Sequence, residues 1–225
     1  MKIRNLNRTS QKNMAGLRER KKKATRAAIM KAAINLFGER GYENTSVSAL
    51  AKAAGIGKGT IYSYFSSKNE ILLAFCEEEL AFIYKEIQSK LDPNASLADK
   101  MLLLLMSQFR FITRNKAFGR TLLREMTFPK EMTIEKSRKV EEKFLELFVT
   151  LLQEAQQNGE LSQHLELTIT GGHFYSLYLM ALSAWYSGRL LTEEDVQETL
   201  ELMIEQTLTG LIPREITLSV SSNPS

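Results

Sequence analysis

Residues 45–65 read Thr-Ser-Val-Ser-Ala-Leu-Ala-Lys-Ala-Ala-Gly-Ile-Gly-Lys-Gly-Thr-Ile-Tyr-Ser-Tyr-Phe. Val47 to Ala54 has the spacing of a short amphipathic helix. Gly55-Ile56-Gly57 interrupts it, and a second short helix follows with Lys58, Thr60, Tyr62, Ser63 and Tyr64. Two helices joined by such a turn form a helix-turn-helix, whose second helix enters the major groove of DNA. Cations and hydrogen-bond donors suit phosphates, and short polar groups suit base edges. Gly59 lets the backbone come close to a duplex, and Thr60 offers a methyl and a hydroxyl. Ser46 is an N-cap, and Thr45 and Ser46 open the first of the two helices, where free N–H groups can meet a phosphate. Ile61 and Phe65 read as core, and Tyr64 is divided between core and contact.

The run Gly55-Ile56-Gly57-Lys58-Gly59-Thr60 imitates a phosphate-binding loop but fails its requirements. That loop needs a glycine five residues before the Gly-Lys pair and Ser or Thr directly after the lysine. Here those places hold Lys52 and Gly59, and the preceding element is helical.

On the N-terminal side, Ala28, Ile29, Ala32, Ala33, Leu36 and Phe37 form an apolar stripe that ends a first helix near Arg40 and Gly41. On the C-terminal side, Ser67 and Glu70 form a capping box that starts a long helix from Lys68 to about Leu91. Further helices follow: Ser96 to about Thr113, Ala117 to Met126, one through Val140 and Phe148 to Asn158-Gly159, Leu167–Ser187, and Glu193–Leu211 capped by Thr192. No strand-rich region or internal repeat is visible. The predicted fold is all-α, a three-helix head with a larger helical body.

These residues resemble the TetR family of bacterial transcriptional regulators. The resemblance runs from near Thr25 through Leu72, in Leu36-Phe37-Gly38-Glu39-Arg40-Gly41-Tyr42, Thr45-Ser46-Val47, Ala51-Lys52-Ala53-Ala54-Gly55, Lys58-Gly59-Thr60-Ile61-Tyr62-Ser63-Tyr64-Phe65 and Ser67-Lys68-Asn69-Glu70-Ile71-Leu72. It departs at Gly57, where the family often has Ser or Thr, a change worth only a few tenths of a kcal/mol at an N-cap. It implies that Tyr62 and Tyr64 touch phosphates or bases and that Lys68 meets a phosphate. It also implies that the last two helices of two subunits form a four-helix dimer interface, here through Tyr178, Leu182, Trp185, Leu200, Met203, Ile204 and Leu208.

Charge divides the chain in the same way. Residues 1–68 hold fifteen Lys/Arg against three Glu, a balance of +12, and residues 69–225 hold fifteen against twenty-three Asp/Glu, a balance of −8, giving the total of +4. A basic head on an acidic body is the footprint of nucleic-acid binding at one end. The expected organisation is a flexible basic arm over 1–22, a helix-turn-helix domain over 23–68, a regulatory and dimerisation domain over 69–212 and a flexible tail over 213–225. Glu215 to Val220 in that tail read as briefly extended.

No apolar run approaches the roughly 20 residues of a membrane span, the N-terminus lacks a secretory pattern, and a single cysteine, Cys76, fits a reducing cytoplasm. No membrane partner is expected. Cys76, His164 and His173 lack metal-ligand spacing, and no cofactor motif or nucleophile–base pair appears, so neither a metal, a cofactor nor an enzyme is expected. In the body, Phe109, Arg110, Phe118, Glu125, Met126, Phe144, Phe148 and His173 are candidates for lining a small-molecule pocket, which is usually apolar with a few polar groups. The sequence thus points to a homodimeric repressor that binds a palindromic operator in double-stranded DNA and is released by a small-molecule effector. An architectural or interaction protein with the same head and no effector is the alternative.

Overall fold

The structure, a computed structural model, describes residues 3–92, 94–128 and 134–210, with side chains from residue 16 onward except those of 134, 136 and 137. The described residues form an all-α fold: α1 (Ile3–Arg40), α2 (Val47–Ala53), α3 (Lys58–Tyr62), α4 (Lys68–Lys90), α5 (Leu97–Thr113), α6 (Lys116–Thr127), α7 (Ile134–Gln157), α8 (Leu167–Tyr186) and α9 (Glu193–Thr209). The tail expected over 213–225 lies outside the described residues, as does its extended stretch Glu215 to Val220.

Local chemistry sets most helix ends. The hydroxyl of Ser46 accepts from the Ala49 N–H, that of Ser67 from Glu70 and that of Thr192 from Asp195. The box at α4 closes differently from the one read in the sequence, because the Glu70 carboxylate takes the N–H of Ser66 at 2.7 Å. Asn115 caps α6 by accepting from Phe118 at 3.0 Å. The start of α1 departs most from the sequence reading, which set a flexible arm over 1–22. The helix instead begins at Ile3. Residues 3–22 contain no proline, and their seven Lys and Arg have high helix propensity, so the turn is not broken there.

The chain forms two compact units, Met1–Leu91 with Met106–Leu147, and Asp92–Leu105 with Phe148–Ser225. The first unit is built around the inward face of α1, where Ile29, Met30, Ala33 and Phe37 are buried. Leu50 of α2 and Ile61 of α3, each at most 1 % exposed, complete the core of the head. This unit does not close at residue 68. The α6 helix docks on α1, with the Phe118 ring stacked 6.4 Å from Phe37 and edge-on 4.6 Å from Phe75 of α4. Gly38 permits the approach, since a Cβ there would lie 3.1 Å from the Phe118 nitrogen. The Thr121 hydroxyl donates to the Phe37 carbonyl at 3.2 Å.

The second unit is built around the α8–α9 hairpin, with Phe174, Ala181, Leu182, Val196, Leu200 and Ile204 at its core. The Glu166 carboxylate caps α8 through the N–H groups of Thr168 and Ile169. Those bonds favour the charged form and hold the carboxyl below its ordinary value. Lys100, largely buried, reaches Glu154 at 3.9 Å.

One charged-type residue lies inside the first unit. Glu79 of α4 is only 5 % exposed, and burial pushes its carboxyl from 4.5 up to about 8. Burial, with Glu79 nearby, also raises the Cys76 thiol well above its ordinary value, so the thiol stays protonated and inert. Between about pH 5 and pH 8 the folded chain therefore keeps a proton on Glu79 that the unfolded chain has released. Stability is fully present below the unfolded value and falls as the pH rises through that window. At about 1.4 kcal/mol per pH unit, this amounts to up to about 3 kcal/mol at pH 7. Glu79→Gln is expected to flatten that part of the pH profile, as read from urea midpoints at pH 5, 6, 7 and 8. Profiles of equal steepness for parent and variant would show that the carboxyl is not buried neutral.

Candidate nucleic-acid interface

The turn between α2 and α3 depends on Gly55, whose φ of 67° lies in the left-handed region where a side chain is strained. The Ile56 N–H then returns to the Ala51 carbonyl at 3.0 Å, closing the end of α2. This sets α3 against the head with Ile61 pointing inward and Lys58 and Tyr62, one turn apart, pointing outward. Lys58, Gly59, Thr60, Tyr62 and Ser63 are all exposed, and Ser46 is exposed at the start of α2. Nothing lies within 4 Å of where a Gly59 Cβ would be, so its backbone is open to an approaching surface. The Ser63 hydroxyl donates to the Thr60 carbonyl at 2.7 Å, which leaves its oxygen facing solvent as an acceptor.

Three expected contacts are placed differently. Thr45 is 1 % exposed, and its hydroxyl is held by the Leu36 and Gly41 carbonyls at 3.1 and 2.8 Å. It ties the end of α1 to the start of α2 and has no face for DNA, which corrects the sequence reading. Tyr64 is half-buried and lines an open groove of about 430 Å³ with Arg26, Phe65 and Lys143, away from the row formed by Lys58 and Tyr62. Lys68 is half-buried, donates to the Tyr42 carbonyl at 2.8 Å and sits 4.5 Å over the Tyr42 ring. One of its three donors is thus committed inside the head. Burial, then Glu125 and Glu43, pushes the Tyr42 phenol up to about 12, so the ring under Lys68 is neutral.

Two further exposed residues join the row. Ser48 and Lys52 stand one turn apart on α2. Both lie inside the stretch that decided the fold, and their four-residue spacing was the signal that could have singled them out.

In the body, Phe109, Phe144 and Phe148 are buried, and Arg110 and Met126 are half-buried. Phe148 belongs to the second unit, its ring 6.3 Å from Tyr175. Phe118, Glu125 and His173 have other places. Phe118 is spent in the α1–α6 contact, and Glu125 pairs with Arg124 at 2.9 Å beside Tyr42. His173 is exposed, with a ring nitrogen 3.3 Å from the Thr207 hydroxyl of α9. Of the expected dimer residues, Tyr178, Leu182, Leu200 and Ile204 are buried within the single chain, while Trp185, Met203 and Leu208 are half-buried. The most apolar positions of the hairpin are thus buried within the single chain. The large apolar side chains left outward on these helices are Ile169, Met180 and Leu202, each more than half exposed.

Among the described residues no group of three His, Cys, Asp or Glu could hold a metal ion, and no helix is long and apolar enough to cross a membrane. Residues 29–75 match the family described as "Bacterial regulatory proteins, tetR family". The chain is 24 % identical over 160 residues to a fatty acid metabolism regulator protein of Bacillus subtilis, covering 70 % of this chain and 81 % of that one. The structure of FadR from Bacillus subtilis in complex with stearoyl-CoA superposes with a TM-score of 0.72 at 22 % identity, covering 83 % of this chain and 99 % of that one. Thermus thermophilus FadR, a repressor in complex with lauroyl-CoA, superposes with a TM-score of 0.65 at 25 % identity, covering 89 % and 99 %.

The placement of Thr45 is testable. Thr45→Val keeps the shape but removes the hydroxyl from two carbonyls. It is expected to cost about 1–3 kcal/mol of stability, read from urea unfolding. Affinity for a DNA duplex, measured where the variant is fully folded, should match the parent's. A specific loss of DNA affinity at unchanged stability would return Thr45 to the interface.

Proposed function

We propose that the chain, whose residues 29–75 match the tetR family of bacterial regulatory proteins, is a repressor that binds a palindromic operator as a homodimer and leaves it when a small-molecule effector binds. In this reading residues 23–68 read DNA and residues 69–212 sense and dimerise. The observation that carries it is the exposed polar row on α2 and α3, Ser46, Ser48, Lys52, Lys58, Thr60, Tyr62 and Ser63, flanking the open backbone of Gly59. The row has the chemistry that phosphates and base edges accept. Tyr64 and Lys68 serve by bracing the end of α3 and the start of α4.

The relatives support one effector class. Two FadR structures of the same fold hold stearoyl-CoA and lauroyl-CoA, so we propose a long-chain acyl-CoA here. Phe109, Arg110, Met126 and Phe144, on α5, α6 and α7 of the first unit, are the candidates to meet it. The response would travel through α6. Its Phe118 lies against Phe37 of α1, so a shift of α6 must move the head or break that contact. A hundredfold loss of DNA affinity needs only about 2.7 kcal/mol of coupling.

The operator is to be selected from random duplexes with the full chain, and its binding titrated against lauroyl-CoA and stearoyl-CoA, with CoA alone as control. Release by the acyl-CoAs but not by CoA is expected. Lys58→Ala should weaken operator binding and lower the salt slope by about one. Failure to select any duplex would refute the DNA-binding reading. Tight binding untouched by acyl-CoA would leave the DNA role and remove the proposed effector.

The dimer has its own test. Met180→Glu places a charge on the outward face of α8 without entering the chain's own core, so helicity should be retained while the dimer dissociates. Sedimentation of the variant as a dimer would place the interface elsewhere.

A further inference from the structure

The helix α1 is far longer than the head requires. Its buried stripe begins at Ile29, and every residue from Gly16 to Ala24 is exposed. Within that stretch Arg18, Arg20, Lys21, Lys22 and Lys23 oppose a single Glu19. Like charges stand one turn apart in the pairs Arg18–Lys21, Arg18–Lys22 and Arg20–Lys23, which weakens an isolated helix. A segment that buries nothing gains little from packing, and short helices on their own are marginal in water. A surface of opposite charge would relieve both costs.

We propose that the N-terminal extension of α1 is a second DNA contact, a helical arm continuous with the head that lies on the phosphates of duplex flanking the site read by α3. The inference rests on the head being DNA-binding. Charge complementarity and continuity name the occupant: the arm shares one helix with the head, and the whole +12 balance lies in residues 1–68. Arg4, Arg8 and Lys12 continue the basic sequence at four-residue intervals. Residues 3–23 as a helix span about 32 Å at 1.5 Å per residue, the length of about nine base pairs at 3.4 Å each. An anionic membrane is the weaker match. A helix that settles into a lipid interface needs a broad apolar face, and residues 3–23 offer only the narrow strip Ile3, Leu6, Met14 and Leu17 against eight Lys and Arg.

Two variants separate charge from rigidity. The first replaces Arg18, Arg20, Lys21, Lys22 and Lys23 by Ala, which keeps the helix and removes the charges. The second is Ala24→Pro, which keeps every charge. Proline is tolerated at the first position of a helix, so α1 can restart at residue 24 with its buried stripe intact, while the arm is uncoupled. Each protein is titrated with the selected operator trimmed to its half-sites and with the same operator carrying ten more base pairs on each side, at several salt concentrations. The full chain should bind the longer duplex at least about tenfold more tightly, with a slope steeper by about 0.9 for each added phosphate contact. The five-alanine variant should lose that gain and keep the affinity for the trimmed duplex, and Ala24→Pro should lose most of the gain. Equal affinity of the full chain for both duplexes overturns the proposal, as does an undiminished gain in the five-alanine variant. An undiminished gain in Ala24→Pro overturns the rigid arm. Absence of the gain together with arm-dependent binding to phosphatidylglycerol vesicles would assign the arm to membranes and overturn the DNA contact. Failure of the full chain to select any duplex in the first place would refute the head reading itself, a result distinct from all of these.

Discussion

The contact between α1 and α6 is the constraint on which the first unit depends. Phe118 lies against Phe37 and Phe75, so one ring joins the head, the long α4 helix and α6. The close approach exists because residue 38 has no side chain. Thr121 adds a hydrogen bond from α6 to the backbone of α1, which fixes the rotation of one helix against the other. Packed aromatic contacts of this kind are not continuously adjustable. They hold in one arrangement or change to another. The head is thus held by α6 as well as by α4.

The same economy governs the polar atoms of the head. Thr45 and Lys68 both resemble DNA ligands by chemistry, and the fold claims both. Thr45 bonds two carbonyls at the end of α1, and Lys68 holds the Tyr42 carbonyl and ring. They fix the path of the chain through Gly41 to Thr45, which aims α2 and with it α3. Among the residues left exposed from Ser46 to Ser63, the Ser46 hydroxyl also caps α2 and the Ser63 hydroxyl bonds the Thr60 carbonyl.

What the sequence disclosed follows the range of the interactions. Helix ends at Ser46, Ser67, Asn115 and Thr192 are set by bonds to atoms two or three residues away, and the helical spans were legible to within a few residues at most of them. The turn at Gly55 was legible for the same reason. The docking of Phe118 on Phe37 spans more than eighty residues, and in a single sequence Phe118 looks like any other body phenylalanine. The burial of the last two helices was hidden by a different effect. Periodicity marks apolar stripes without saying what covers them, so it could not tell Leu182, Leu200 and Ile204, which are buried within the single chain, from Ile169, Met180 and Leu202, which are exposed in it. The start of α1 was misjudged because the expectation of order was tied to burial, while Lys and Arg themselves favour helix.

The glycine at position 38 also bears on how such regulators can be recombined. A chimera that joins residues 1–68 to an unrelated sensor would carry Phe37 and the notch at Gly38 away from the α6 surface that fits them. The graft would keep the notch at Gly38 and lose the ring that fills it, leaving the Phe37 face of α1 without its packing partner. A transplant that respects this joint takes Asn115 to Thr121 along with the head, which makes the exchangeable module discontinuous in the chain.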